Sequence, residues 1–405
     1  MFDVELIRKD FPILSREVNG KGLIYLDSGA TAQKPECVIE LINRLHREYN
    51  ANIHRGVHYL SEQMTQMYEA ARERIRGFIG AAEREEVIFT AGATASLNTV
   101  AYAWSERYLS AGDNIIVSEM EHHSNIVPWQ VVAARKGAQI RVLPFDNEGR
   151  LMVERLDELI DSRTRLVAVT QASNTLGTRP DLKPIIEKAH AAGAHVVVDG
   201  CQGVVHGGVN VQALGCDFYA FSGHKLYGPT GIGVLYGRRE LLESMPPFLC
   251  GGDMVDRVSF EKTTYAPLPL KFEAGTANFI GAIGLGEAVR YLSELDLSAV
   301  ERHEAELTSY AHEQLEQIDG MCIYGKCSDK SSIVSFNVDG VHHYDMGMIL
   351  DKLGIAVRTG QHCAEPVMVH YGVTGMCRAS IAMYNTKQEI DALCRGVQRA
   401  VRMLR

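Results

Sequence analysis

Between residues 85 and 240, short β-branched and aliphatic runs alternate with stretches whose apolar side chains recur at helical spacing. The runs are Glu86–Thr90, Asn114–Ser118, Gln139–Pro144, Arg165–Thr170, His195–Asp199, Phe218–Ser222 and Gly233–Tyr236. Among the intervening stretches, Lys183–Ala192 (KPIIEKAHAA) shows the helical period and stops before Gly193, a residue suited to ending a helix. Strands alternating with helices predict a mainly parallel sheet covered on both faces, and such sheets bind ligands beyond the carboxyl ends of their strands. Strand ends are therefore where the chemistry is sought. After Gly284 the pattern changes to a long helical segment, Leu285–Ile318, followed by strand-like runs at Ser332–Val338 and Ile355–Thr359. A dense loop from Gly360 to Pro366 and an amphipathic helix from Lys387 complete what reads as a smaller α+β unit, joined to the first by one long helix. The Gly/Pro-rich stretch Pro246–Pro269 reads as an irregular, exposed excursion that contacts a partner.

Length and charge narrow the function classes. A chain of 405 residues holds two or three units of about 100–200 residues each. Its 50 acidic and 41 basic side chains leave a net charge of −9, which lowers the expectation of nucleic-acid binding because the phosphate backbone calls for a basic surface. The first residues, MFDVELIRKDFPIL, place Asp3, Glu5, Arg8, Lys9 and Asp10 where a secretory signal needs an unbroken apolar run. The longest apolar runs, such as Leu166–Val169 and Val196–Val198, fall far short of the roughly 20 residues that span a bilayer. A cytoplasmic protein with no membrane helix is expected. The nine cysteines are scattered from Cys37 to Cys394 without a Cys-x-x-Cys pair, so they are expected to be reduced rather than bridged or bound to zinc.

Four strand ends carry unusual polar groups. Val87–Thr90 leads into Ala91-Gly92-Ala93-Thr94, a small-residue turn opening a helix, whose unpaired N–H groups and the Thr94 hydroxyl suit an anion or serve as a simple cap. Three valines deliver Asp199 to the end of His195–Asp199, ahead of Gly200-Cys201-Gln202. An aspartate there can be a cap, a metal ligand or the partner of a cationic ring nitrogen. Phe218–Ser222 then ends in Ser222-Gly223-His224-Lys225. A lysine at the end of a buried strand is unfavourable unless it stays neutral or is consumed chemically, and an amine that forms a Schiff base meets both conditions. Ser222 and His224 flank it with donors suited to a phosphate. An acid for a pyridinium nitrogen, a lysine for an aldehyde and donors for a phosphate together describe pyridoxal phosphate. The fourth end, Glu121-His122-His123-Ser124-Asn125, has adjacent histidines that do not easily face one ion, so no metal is expected; an imidazole stacked on the cofactor and moving protons fits better.

The loop Arg358-Thr359-Gly360-Gln361-His362-Cys363-Ala364-Glu365-Pro366 sets one thiol between a cation, an imidazole and a mobile glycine-containing backbone. Those are the surroundings of a nucleophilic cysteine.

Together with Tyr25-Leu26-Asp27-Ser28-Gly29-Ala30-Thr31, Asn52-Ile53-His54-Arg55-Gly56 and Phe272-Glu273-Ala274-Gly275-Thr276, these motifs span essentially the whole chain. They closely resemble the pyridoxal-phosphate-dependent cysteine desulfurases of the class V aminotransferase family, in particular the SufS-type group and its selenocysteine-lyase relatives. The resemblance implies the fold type I of these transferases: α/β, with a mainly parallel seven-stranded sheet, helices on both faces and a smaller α+β C-terminal domain. It divides the chain into a large cofactor domain at 21–284, a small domain at 285–405 with the cysteine loop, and an N-terminal segment, 1–20, packing with the small domain. Carried over residue by residue, it implies that Lys225 holds the cofactor as a Schiff base, Asp199 pairs with the ring nitrogen, Gln202 contacts the ring hydroxyl and His122 stacks on the ring. Thr94, Ser222 and His224 bind the phosphate, and Thr276 reaches the phosphate of the neighbouring chain in a homodimer. Arg378 and Asn174 hold the substrate carboxylate, while His54 and Arg358 line the substrate side. The implied reaction takes L-cysteine to L-alanine with a persulfide on Cys363, which a SufE- or SufU-like protein acceptor receives for iron–sulfur cluster assembly. L-Selenocysteine as substrate, a class V aminotransferase that needs no cysteine loop, and an idle assembly scaffold are the alternatives. The loop departs from many relatives in having Gln361, and the motif after His123 in having Ser124.

Overall fold

The computed structural model describes residues 2–405. Its centre is a seven-stranded sheet made of β1 (Val87–Thr90), β2 (Asn114–Ser118), β3 (Gln139–Leu143), β4 (Thr164–Thr170), β5 (His195–Asp199), β6 (Phe218–Ser222) and β7 (Gly233–Gly237). Their order across the sheet is β1-β7-β6-β5-β4-β2-β3. β2, β5 and β6 have the limits expected from the sequence, and the others differ by a residue. β7 alone runs against both neighbours, for a simple reason: the connection 223–232 is shorter than the roughly dozen residues a parallel crossover needs. The central strands read as unbroken apolar runs because both faces are covered by helices, and Val196, Val197 and Val198 are fully buried.

The second sheet is antiparallel and contains β8 (Met321–Tyr324), β9 (Ile333–Val338), β10 (Arg358–Gly360) and β11 (Met376–Ser380) in the order β8-β9-β11-β10. Helices Leu297–Glu316, His343–Lys352 and Lys387–Leu404 pack on it around a separate apolar cluster that includes Leu315, Phe336, Leu350 and Leu393. The final helix starts where its sequence says it should: Thr386 and Glu389 cap each other's backbone N–H groups at 3.3 and 3.0 Å.

Three expectations need correction. The long helical segment is two helices, Phe279–Ser293 and Leu297–Glu316, because Asp296 ends the run and caps the second helix through Ala299 N–H at 3.1 Å. Pro246–Pro269 is not wholly irregular; it contains a hairpin of Val255–Val258 with Thr263–Tyr265, whose tip carries the fully exposed Phe260. The run Ile355–Thr359 divides, since Ile355–Ala356 pairs in parallel with Ile24–Tyr25 while β10 joins the second sheet.

The N-terminal segment bridges the two units. Arg8 pairs with Glu389 at 3.0 Å, and the Phe11 ring meets Tyr227, Tyr291 and Tyr384 at 5.9, 6.1 and 4.8 Å. Behind β1, the buried Arg72 forks onto Glu273 at 2.6 and 2.9 Å, and Glu273 also accepts from Tyr68 and from Phe89 N–H. A buried carboxylate needs this many donors, and they fix the segment that leads to Thr276. Among the described residues no helix is long and apolar enough to cross a membrane.

Candidate active site

A cavity of about 240 Å³ lies between the carboxyl ends of the central strands and the second sheet. From β5 and β6 it receives Asp199, Gln202, Ser222, His224 and Lys225; from neighbouring strand ends come Thr94, His122 and Asn174; from the second unit come Arg358, Cys363 and Arg378. His54 and Thr276 do not line it. His54 sits on an exposed turn with its Nε2 3.3 Å from Glu69, and Thr276 is exposed. The cavity adjoins an open depression of about 600 Å³ that shares Ala93, Thr94, Ser222 and His224.

The large-unit wall is built from strand ends. Asp199 Oδ1 accepts from Cys201 N–H at 3.0 Å, and Gln202 Nε2 donates to Gly29 O at 2.8 Å. His122 Nδ1 accepts from Ser124 N–H at 3.0 Å, so the ring proton sits on Nε2. Burial, then the nearby Lys225 charge, pulls the imidazole down to about 4, leaving it neutral. Its neighbour Glu121 is pushed up to about 8 by burial and accepts from Ser118, Asn125 and Thr170 N–H, which ties the ends of β2 and β4 together. His224 is likewise held down to about 4 by burial and by Lys225 and Lys34.

At the anion end, helix Ala93–Tyr108 begins after Gly92, whose φ of 151° is open to glycine. Ala93 N–H donates to Ser222 Oγ at 2.8 Å, and Thr94 Oγ1 is 2.8 Å from Ser124 Oγ. A Cβ on Gly233 would come within 2.4 Å of Gly92 Cα, so the turn lies close against β7, with Gly92, Ala93 and Thr94 lining the depression.

The second unit supplies the opposite wall. Arg378 is 2% exposed, and burial lowers it to about 10. One amine donates to Asn174 O at 2.7 Å, but Nε and Nη2 have no hydrogen-bond partner, and Asp27 stands 3.5 Å away. Its Nη2 is thus ion-paired with Asp27, and a buried guanidinium this short of hydrogen bonds is suited to a carboxylate. Arg358 is already engaged with Asp27 through contacts at 3.1, 3.2 and 2.9 Å. Asp27 thus joins both arginines. The motif around it was visible in the sequence, but its task depends on contacts more than 300 positions away.

The cysteine loop is anchored in this structure rather than loose. His123 N–H donates to Cys363 O at 2.7 Å, Glu365 N–H donates to His123 Nε2 at 3.0 Å, and Asn174 Nδ2 donates to His362 O at 2.7 Å. His362 and Cys363 both hold left-handed backbones, with φ of 54° and 55°, and the Cys363 side of the loop is exposed. Sequence reasoning missed His123 because its partners lie in the other unit.

The donor set fits pyridoxal phosphate: a lysine, a carboxylate on the neighbouring strand end, a neutral imidazole and an N–H-rich helix start meet in one cavity. The chain matches the class-V aminotransferase family over residues 24–393 and belongs to it; that family is pyridoxal-phosphate-dependent. Within it, the chain is 52% identical to the cysteine desulfurase of Klebsiella pneumoniae (strain 342) over 404 residues, 100% of this chain and 99% of the other. It is 50% identical to the cysteine desulfurase of Enterobacter sp. (strain 638) with the same coverage. Among solved structures, the cysteine desulfurase CsdA of Escherichia coli superposes with a TM-score of 0.93 at 44% identity, covering 100% of both chains. The expected fold type is therefore the observed one.

Proposed function

We propose that this chain is a cysteine desulfurase that converts L-cysteine to L-alanine, leaves a persulfide on Cys363 and so supplies sulfur for iron–sulfur clusters. The observation that carries the reading is the meeting of Lys225 and Asp199 with Cys363 and the buried Arg378 guanidinium in one cavity. The full-length likeness to relatives named cysteine desulfurase supports it.

When bound, pyridoxal phosphate supplies an electron sink for charge developing at the substrate Cα. Lys225 would hold it and would move the substrate's Cα proton. Asp199 would pair with the ring nitrogen, and Gln202 would meet the ring hydroxyl. His122, neutral at working pH, would lie over the ring and could pass protons through Nε2. Thr94, Ser222 and His224 hold the phosphate end, and Thr276 does so for the neighbouring subunit of a homodimer. Arg378 binds the substrate carboxylate, with Asn174 beside it and with Arg358 on the substrate side, so that orientation is settled before reaction. The Cys363 thiolate then attacks the substrate sulfur: an S–S bond forms, the C–S pair stays with carbon, and a proton completes alanine. A protein acceptor receives the sulfur near Cys363 and the hairpin of Pro246–Pro269. We assign the work to the cytoplasm, where thiols stay reduced. The domain division at 1–20, 21–284 and 285–405 is part of this proposal, supported by the separate apolar cluster of the second unit. L-Selenocysteine is a chemically equivalent substrate for the same residues.

The test is to incubate the pyridoxal-phosphate-loaded protein with L-cysteine, measure alanine and sulfide, and locate the persulfide by mass spectrometry. Cys363→Ala is expected to lose sulfur mobilisation while keeping the visible absorption of the bound cofactor. Sulfur release at the normal rate by that variant overturns the mechanism, and amino transfer to a keto acid would point to an aminotransferase.

A further inference from the structure

The carbonyl oxygen of His224 belongs to the peptide group from which Lys225 departs, and it receives three donors from one short segment. Ala32 N–H donates at 3.1 Å, the Thr31 hydroxyl at 3.2 Å and the Lys34 ammonium at 2.9 Å. A carbonyl has two lone pairs, so this oxygen is held more fully than ordinary backbone. Lys34 also donates to Ala32 O at 2.5 Å, which closes the segment on itself. Burial holds the Lys34 amine down to about 8; its charge is desolvated against main-chain carbonyls, an unfavourable arrangement for a lysine with no other task.

The other end of the segment is fixed as firmly. Asp27 bridges Ser380 of β11, Gly29 N–H donates to Ser380 Oγ at 2.8 Å, Gln202 Nε2 donates to Gly29 O at 2.8 Å, and Tyr25 Oη donates to Thr31 O at 2.8 Å. Residues 27–34 therefore form a strap from the strand that carries Arg378 to the turn that carries Lys225.

We propose that Lys34 is a positioning residue. With Thr31 it clamps the His224–Lys225 peptide, so that the amine of Lys225 leaves the turn in one direction. The amine lies four methylenes from the main chain, and a small rotation of that peptide is magnified at its tip; fixing the peptide sets the geometry before reaction. This rests on the reading of Lys225 as the lysine that holds pyridoxal phosphate.

The experiment compares Lys34→Met, Lys34→Arg and Thr31→Val with the parent protein. Pyridoxal phosphate is added to each protein freed of it, and the rate at which the visible band of the lysine-bound cofactor grows is measured, beside kcat and KM for L-cysteine. Lys34→Met is expected to slow band growth and kcat by about tenfold while KM stays within about twofold. Lys34→Arg, which keeps charge and donors, recovers most of the loss. Thr31→Val removes one donor without disturbing the buried charge; its slowing of band growth by about threefold keeps the test open if Lys34→Met does not fold. Band growth at the parent rate in both Lys34→Met and Thr31→Val overturns the clamp, as does an equal loss in Lys34→Met and Lys34→Arg. Lys225→Ala separates the underlying reading: a lysine-type band in that variant removes the Lys225 assignment and the clamp together, whereas a silent Lys225→Ala beside unaffected Lys34→Met and Thr31→Val removes the clamp alone.

Discussion

The two walls of the cavity obtain their precision differently. Asp199 and Lys225 follow strands whose side chains are wholly buried, such as Val196–Val198 of β5 and Phe218–Phe221 of β6. Their placement comes with the sheet. Cys363 stands on an exposed loop with two left-handed residues, and the loop takes its position from His123 and Asn174 of the opposite wall. One wall is rigid by packing, while the other borrows its geometry through three hydrogen bonds. On the proposed roles, the group that holds the cofactor stands on the first wall, and the group that takes a sulfur atom and gives it away stands on the second.

The largest expected effect separates the walls from the rigid side. Asp199→Asn removes the charge facing a cationic ring nitrogen and is expected to lower kcat about 10²–10³-fold, while the rate at which iodoacetamide alkylates Cys363 stays at its parent value. A parallel change in alkylation would mean that the two walls are not independent. A smaller effect is expected from the borrowed side. His123→Ala leaves its own N–H on Cys363 O but removes the acceptor of Glu365 N–H, a loss of about 1 kcal/mol. Persulfide formation should slow several-fold, hydrogen exchange at 363–365 should quicken, and the visible band should not change. Unaltered exchange would show that the loop is held by something else.

A different kind of effect lies in the pH dependence of stability, and it touches both walls. Burial holds His122 and His224 down from 6.5 to about 4 and His362 to about 3. Between those values and 6.5 the unfolded chain binds more protons than the folded one, so stability rises with pH across this range and is lost as pH falls through it. The denaturant midpoint should therefore drop from neutral pH towards 4, and His362→Asn should flatten part of that slope. A midpoint independent of pH would refute the neutral state of these rings.

Much of the rigid wall was legible in the sequence, and little of the borrowed one. β5 and β6 announce themselves as apolar runs, and a lysine or aspartate at the end of such a run calls for a chemical explanation without knowledge of any partner. The thiol in its loop was also visible, since its neighbours are local. What stayed hidden depends on distant contacts: Asp27 between Arg358 and Arg378, and His123 beneath Glu365. The break at Asp296 was missed for the opposite reason. Its cap was written in the sequence, but the apolar spacing on either side runs through it. His54 and Thr276 lie outside the cavity of this chain, and no pattern along one chain says which surface a second copy covers.

The paired left-handed residues at 362 and 363 have a consequence for cargo handling. Both loop carbonyls point to tethers on the large unit, while the side of Cys363 remains open. On the proposed function, a sulfur atom added to the exposed thiol would leave both tethers in place. On that reading the load would hang from a fixed hook, and taking it on or handing it over would call for no unfolding of the loop that carries it.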